Sequence, residues 1–192
     1  MEALFTSTAV VALAEIGDKT QLLAILLATR FKRPLPIILG ILVATLANHA
    51  LAALLGAQAA AFLDSDIFRY VIGASFVAMA AWTLIPDKFE DDDAPKSHAG
   101  AFMTTLVAFF LVEMGDKTQV ATIALGARFH DVFTVTAGTT LGMMIANVPA
   151  IFLGHELLKR VDLNKVRMIA AALFLLIGLW VLAQTAGLFG AG

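Results

Sequence analysis

The heptapeptide Glu15-Ile16-Gly17-Asp18-Lys19-Thr20-Gln21 recurs as Glu113-Met114-Gly115-Asp116-Lys117-Thr118-Gln119, and both copies fall inside apolar stretches long enough to cross a lipid bilayer. An ionised side chain at bilayer depth costs at least about 2.5 to 3.5 kcal/mol. Four carboxylates and two ammonium groups are retained against that penalty, so the fold must keep them away from lipid and give them a use. Hydrophobic residues make up 60% of the 192 positions, against roughly 45 to 50% in soluble domains. The chain therefore reads as an all-α integral membrane protein.

Six apolar segments can be drawn, at 3–29, 35–62, 67–86, 101–127, 132–158 and 166–188. Each meets the requirement of about 20 residues for a spanning helix. The stretches are continuously apolar rather than alternating, and an open sheet cannot satisfy its backbone in lipid. Ala12-Leu13-Ala14 resembles a signal-peptidase site, but the chain opens Met1-Glu2 rather than on a cationic run, so the segment is assigned to the first span. The one long polar interruption, residues 87–99, is rich in Asp and Glu and separates a first unit, 1–86, from a second, 100–192. It reads as a linker.

The two units align at an offset of 98 positions. Arg30-Phe31 matches Arg128-Phe129, Gly40 matches Gly138, Gly56 matches Gly154, Arg69 matches Arg167, Phe76 matches Phe174 and Trp82 matches Trp180. Ala47-Asn48 matches Ala146-Asn147 with a slip of one. A duplication explains this pattern. With three spans in each unit the second enters the membrane from the opposite side, which predicts two inverted three-helix repeats with a site at mid-depth where they meet. Glu15 and Glu113 are each the thirteenth residue of their segment, about 18 Å in at 1.5 Å per residue.

Basic residues set the orientation. Arg30, Lys32, Arg33, Lys88, Lys96, Lys159, Arg160, Lys165 and Arg167 fall on one side and only Arg69 and Arg128 on the other. The central acidic loop is expected in the cytoplasm and both termini outside, or in the lumen if the host has organelles. A formal charge of −2 offers no field for nucleic acid. The expected partners are the bilayer, a divalent ion and protons, with oligomeric state left open.

On a continuous helix, positions i and i+3 share a face, which would aim Glu15 with Asp18 and Glu113 with Asp116. These four are the candidate metal ligands. Gln21, Gln119, Asn48 and Asn147 are candidate auxiliary oxygen donors, and Lys19, Lys117, Thr20 and Thr118 candidates for charge balance or gating. An oxygen-rich shell suits hard divalent ions. Cysteine is absent, and of four histidines only His49 falls near mid-span, so copper and zinc rank below manganese, calcium and magnesium. Four carboxylates against two lysines leave −2, which one divalent ion neutralises. Carboxylates desolvated together also bind protons, which a metal must displace, and this favours exchange of a cation for protons.

Plainer roles compete for several residues. A buried Glu-Lys pair can simply lock helices, the lysines can be counter-charges only, and Asn48 and Asn147 can serve interhelical hydrogen bonding. His49, set against Val148 by the slipped alignment, reads as packing or a secondary proton group. Thr20 and Thr118 can bond carbonyls one turn back. Trp82 and Trp180 read as interfacial anchors. Gly17 and Gly115 are places where the motif helices can loosen, releasing carbonyls.

The two Glu-apolar-Gly-Asp-Lys-Thr motifs resemble those of the Gdt-type cation/proton exchanger family, over essentially the whole chain, and in compactness its bacterial manganese exporters. The resemblance implies Mn²⁺ as leading substrate, Ca²⁺ as second, proton antiport as coupling, no resident cofactor and no enzymatic activity. It places the acidic ligand role on Glu15, Asp18, Glu113 and Asp116. An exporter of small organic cations or amino acids, similar to lysine exporters, is the alternative. A third reading, an intramembrane metal-dependent hydrolase, lacks the His-rich ligand motif of such zinc enzymes.

Overall fold

Two of the six apolar segments do not fold as single helices. In the structure, a computed structural model describing residues 1–62, 65–86, 100–154, 156 and 162–188, segment 3–29 divides into α1 (Glu2–Glu15) and α2 (Lys19–Phe31), and segment 101–127 into α5 (Ala101–Glu113) and α6 (Lys117–Phe129). The others are α3 (Pro34–Phe62), α4 (Asp66–Thr83), α7 (Val132–Leu153) and α8 (Leu163–Thr185). Among the described residues the fold is helical throughout. The expectation of a continuous motif helix is therefore corrected. Glu15 ends α1 and Asp18 caps α2, so the two do not share a helical face.

The cause is local and is repeated. Ile16 is extended (φ −65°, ψ 115°) and so is Met114 (φ −64°, ψ 118°). Gly17 (φ 82°) and Gly115 (φ 77°) adopt the left-handed conformation that residues with a Cβ avoid. Asp18 and Asp116 then restart the chain as N-caps, at ψ 168° and ψ 167°. Even the far ends agree, since Lys32 and His130 close α2 and α6 at φ 53° and 54°. Heptapeptides alike in sequence thus break their helices in the same way.

Packing crosses between the two units. α1 lies along α7 and α3 along α5, while α4 pairs with α8 and α3 also meets α6 and α7. Close approach is made by small residues. A Cβ on Gly138 would stand 2.7 Å from the Leu4 carbonyl oxygen of α1, and one on Gly40 would stand 2.9 Å from the Phe102 carbonyl oxygen of α5. The seam of α3 on α6 is tighter still, for a Cβ on Gly56 would lie 2.0 Å from the Ile123 carbonyl oxygen. Its repeat equivalent, Gly154, has nothing within 4 Å of that position among the described residues. Phe76 and Phe174, both buried, face each other across the α4–α8 pair at 6.3 Å between ring centroids.

Polarity is arranged inside out. Leu46, Leu111, Ile145, Leu176 and Leu179 are exposed, whereas Glu15, Asp18, Glu113, Asp116, Asn48 and Asn147 are buried. Such a surface suits lipid. Three helices, Pro34–Ala61, Val132–Leu153 and Leu163–Thr185, are each long and apolar enough to cross a membrane. Trp82 and Trp180 are partly exposed. The acidic linker at 87–99, with Lys88 and Lys96, lies outside the described residues, as do Lys159 and Arg160.

Candidate cation site

The two helix breaks face each other, and their charges are exchanged between units. Lys19 Nζ of the first motif lies 3.0 Å from Asp116 Oδ1 of the second, and Lys117 Nζ of the second lies 3.7 Å from Asp18 Oδ1 of the first. Each aspartate also stands at the N-terminus of a helix, where the backbone dipole favours negative charge. All four acidic side chains are almost fully enclosed, at 0% exposure for Glu15, 3% for Asp18 and 2% for both Glu113 and Asp116. Charges buried to this depth persist only when paired.

The glutamates end α1 and α5, and each is met by a side chain from the third long helix of the other unit. Asn147 Nδ2 of α7 donates to Glu15 Oε1 at 3.3 Å. His49 Nε2 of α3 lies 3.3 Å from Glu113 Oε1. Thr118 adds a short hydrogen bond to Glu113 Oε1 and a longer one, 3.5 Å, to Asp116 Oδ2. Thr20 is equally buried, but its hydroxyl has no hydrogen-bond partner among the described residues.

The glutamines hold the breaks in shape. Gln21 Oε1 accepts from Gly17 N at 2.9 Å, and Gln119 Oε1 accepts from Gly115 N at 2.6 Å. Their amide nitrogens reach the other unit, Gln21 Nε2 to the Ala146 carbonyl at 2.9 Å and Gln119 Nε2 to Asn48 Oδ1 at 2.8 Å. Asn48 in turn donates to the Phe110 carbonyl at 3.0 Å. Asn48 thus joins α3 to α5 and α6, while Asn147 touches a carboxylate.

These contacts correct the internal alignment. Gln119 to Asn48 mirrors Gln21 to Ala146, and His49 to Glu113 mirrors Asn147 to Glu15, so the offset of 98 continues through α3 and α7 without a slip. The counterpart of His49 is Asn147, not Val148. Sequence reasoning left His49 outside the site because it matched asparagine to asparagine; keeping the register constant would have found it.

Among the described residues no three His, Asp or Glu side chains come close enough together to hold one ion. Each aspartate is instead paired with the lysine of the other motif. A cavity of about 260 Å³ opens elsewhere, where α3, α4, α6 and α8 meet near Arg69, Arg128 and His130, and holds none of the motif residues.

A bundle with an apolar surface, broken twice at its charged centre, has the architecture of an ion transporter, in which interrupted helices present backbone dipoles and carboxylates to the cargo. The family described as "Divalent cation/proton antiporter GDT1" matches residues 3–91 and 101–188. The chain belongs to that family. It is 49% identical over 180 residues to a Vibrio cholerae serotype O1 protein named "Putative manganese exporter", covering 93% of this chain and 90% of that one. It is 29% identical over 187 residues to "GDT1-like protein sll0615" of Synechocystis, covering 86% and 89%. No solved structure matches. Family membership makes the chain a cation transporter of the membrane, with a metal ion as cargo and no resident cofactor, and sets aside both the hydrolase and the amino-acid exporter readings.

Proposed function

We propose that the protein exports Mn²⁺, with Ca²⁺ as a poorer cargo, in exchange for protons, through a single mid-membrane site built from both heptapeptides. Glu15, Asp18, Glu113 and Asp116 supply the ligands; of the neutral oxygen candidates, Asn147 Oδ1 has no hydrogen-bond partner among the described residues, whereas those of Gln21, Gln119 and Asn48 would have to leave the bonds they accept. The observation that carries this reading is the reciprocal exchange of lysines, Lys19 to Asp116 and Lys117 to Asp18. It makes the two motifs one electrostatic unit. The name of the Vibrio relative supports manganese and export.

In this reading the chain spans the membrane six times as two inverted three-helix repeats, with α1–α2 and α5–α6 each forming one interrupted span. The central loop is cytoplasmic and the termini lie outside. A dication arriving between the motifs competes with the lysine ammonium groups and with protons for the same carboxylate oxygens. Lys19 and Lys117 release the aspartates as the ion binds, and take them back as it leaves. Thr118 stands beside the Glu113 and Asp116 carboxylates as a hydroxyl donor for the proton-loaded or lysine-paired arrangement, and Thr20 holds the equivalent place in the first motif. One three-helix repeat rocking against the other then exposes the site to each side in turn.

The test is flux in proteoliposomes with an imposed pH difference, comparing Mn²⁺, Ca²⁺ and Mg²⁺ against lysine as cargo. Glu15→Gln and Glu113→Gln, which keep shape and remove charge, are each expected to abolish divalent flux while the protein remains inserted. Wild-type Mn²⁺ flux in both variants would end the shared-site reading.

A further inference from the structure

Each glutamate is faced by one residue from the opposite unit, and the two facing residues differ in chemistry. Glu15 meets the amide of Asn147, whereas Glu113 meets the imidazole of His49. His49 is fully buried on α3. Its Nε2 lies 3.3 Å from Glu113 Oε1, longer than the roughly 2.7 to 2.9 Å of a charge-assisted hydrogen bond. Its Nδ1 has no hydrogen-bond partner among the described residues. A polar atom kept that way costs about 1 to 3 kcal/mol, so a structural role alone leaves the histidine poorly explained.

The spacing fits a different role. Adjacent ligands at right angles around an ion are separated by about 3.0 Å for Mg²⁺ and about 3.4 Å for Ca²⁺, given metal–oxygen distances of about 2.1 and 2.4 Å. A separation of 3.3 Å between Nε2 and Oε1 falls within that range. The nearby Thr118 hydroxyl and the Glu113 carboxylate supply oxygen, and the breaks contribute only carbonyl, amide and carboxylate oxygens. Among the described residues of this neighbourhood, His49 alone offers a nitrogen with a lone pair for a metal ion, since the lysine ammonium and the amide nitrogens have none to give.

We propose that His49 is a ligand of the transported ion beside Glu113, and that it sets the preference for Mn²⁺ over Ca²⁺. The proposal rests on the shared carboxylate site described above and adds its selectivity. Alkaline-earth ions are hard and take oxygen, whereas first-row transition ions accept imidazole. A single nitrogen disfavours Ca²⁺ and yet falls short of the tetrahedral nitrogen and sulfur set that Zn²⁺ takes. The duplication alone would have given a two-fold symmetric oxygen site, and His49 in place of the asparagine of the other unit is what makes it unequal.

The experiment uses the full-length protein with Mn²⁺ as the probe. Electron spin-echo spectroscopy of bound Mn²⁺ is expected to show ¹⁴N coupling in the wild type, and the same ion bound to His49→Asn is expected to lose it. His49→Asn restores the residue of the other unit, so the Mn²⁺:Ca²⁺ flux ratio should fall by at least the roughly tenfold that loss of even an outer-shell partner costs. Asn147→His, which places a second imidazole against Glu15, should raise that ratio. Wild-type Mn²⁺ without nitrogen coupling overturns the proposal and needs no variant to fold. So does an unchanged flux ratio in His49→Asn. Failure of His49 alone leaves Glu113→Gln inactive, whereas failure of the site itself is seen as flux persisting in Glu113→Gln.

Discussion

Lys19 and Lys117 hold equivalent places in the heptapeptide and differ in exposure, 30% against 4%. Their partners, Asp116 and Asp18, are nevertheless both buried, so either alanine strands a carboxylate inside the fold, at a cost of about 3 to 5 kcal/mol. Lys19→Ala and Lys117→Ala are therefore each expected to lower the thermal midpoint in detergent, and an unchanged midpoint in either would show that its lysine is not the counter-charge. That the two heptapeptides carry the buried charge was legible in the sequence, because charge at bilayer depth is conspicuous against an apolar background and the heptapeptide is duplicated. Who pairs with whom was not. On a single helix Lys19 belongs with Glu15, four residues back, and only the opposition of the two breaks hands it to Asp116. His49 was visible as a mid-span histidine but lost its place when the repeats were aligned on residue identity instead of constant spacing.

At the scale of the element, the helix breaks matter most. Gly17 and Gly115 share a left-handed backbone, which costs a residue with a Cβ about 1 to 2 kcal/mol. A Cβ on Gly17 would also stand 2.8 Å from Leu163 Cδ2 at the start of α8, while Gly115 has nothing within 4 Å among the described residues. Gly17→Ala is expected to impair flux more than Gly115→Ala, read as Mn²⁺ release from loaded vesicles; the reverse order would mean that α8 does not restrain the first break. The sequence showed apolar length and not the interruption, because a window averaged over a whole span hardly registers three residues. The signal was present all the same: a glycine followed by an aspartate inside an apolar run is a helix stop and an N-cap in succession. Of the elements without such an interruption, α3 (Pro34–Phe62) ran close to its expected extent, since length and hydropathy are what define it, whereas α7 ends at Leu153, short of the expected 158.

For the whole molecule, the charge bias along the chain predicts a sidedness that labelling can measure. The natural sequence has no cysteine, so single replacements need no background removal. Ser65→Cys, at the start of α4, is expected to react with a membrane-impermeant thiol reagent from outside intact cells, and Arg33→Cys, before α3, only after permeabilisation. The opposite pattern would invert the proposed orientation. Among the described residues α3 packs on α6 more extensively than α7 packs on α2, so the two units agree closely in local backbone and differ in how tightly their long helices are clasped. The exchanged lysines carry a further consequence, for biogenesis. Lys117 is synthesised about 100 residues after Asp18, a delay of about 5 to 20 s at ordinary ribosome speed. In the proposed topology the first unit is made before its definitive counter-ion exists, so neutralisation of the buried charge is a late step of maturation.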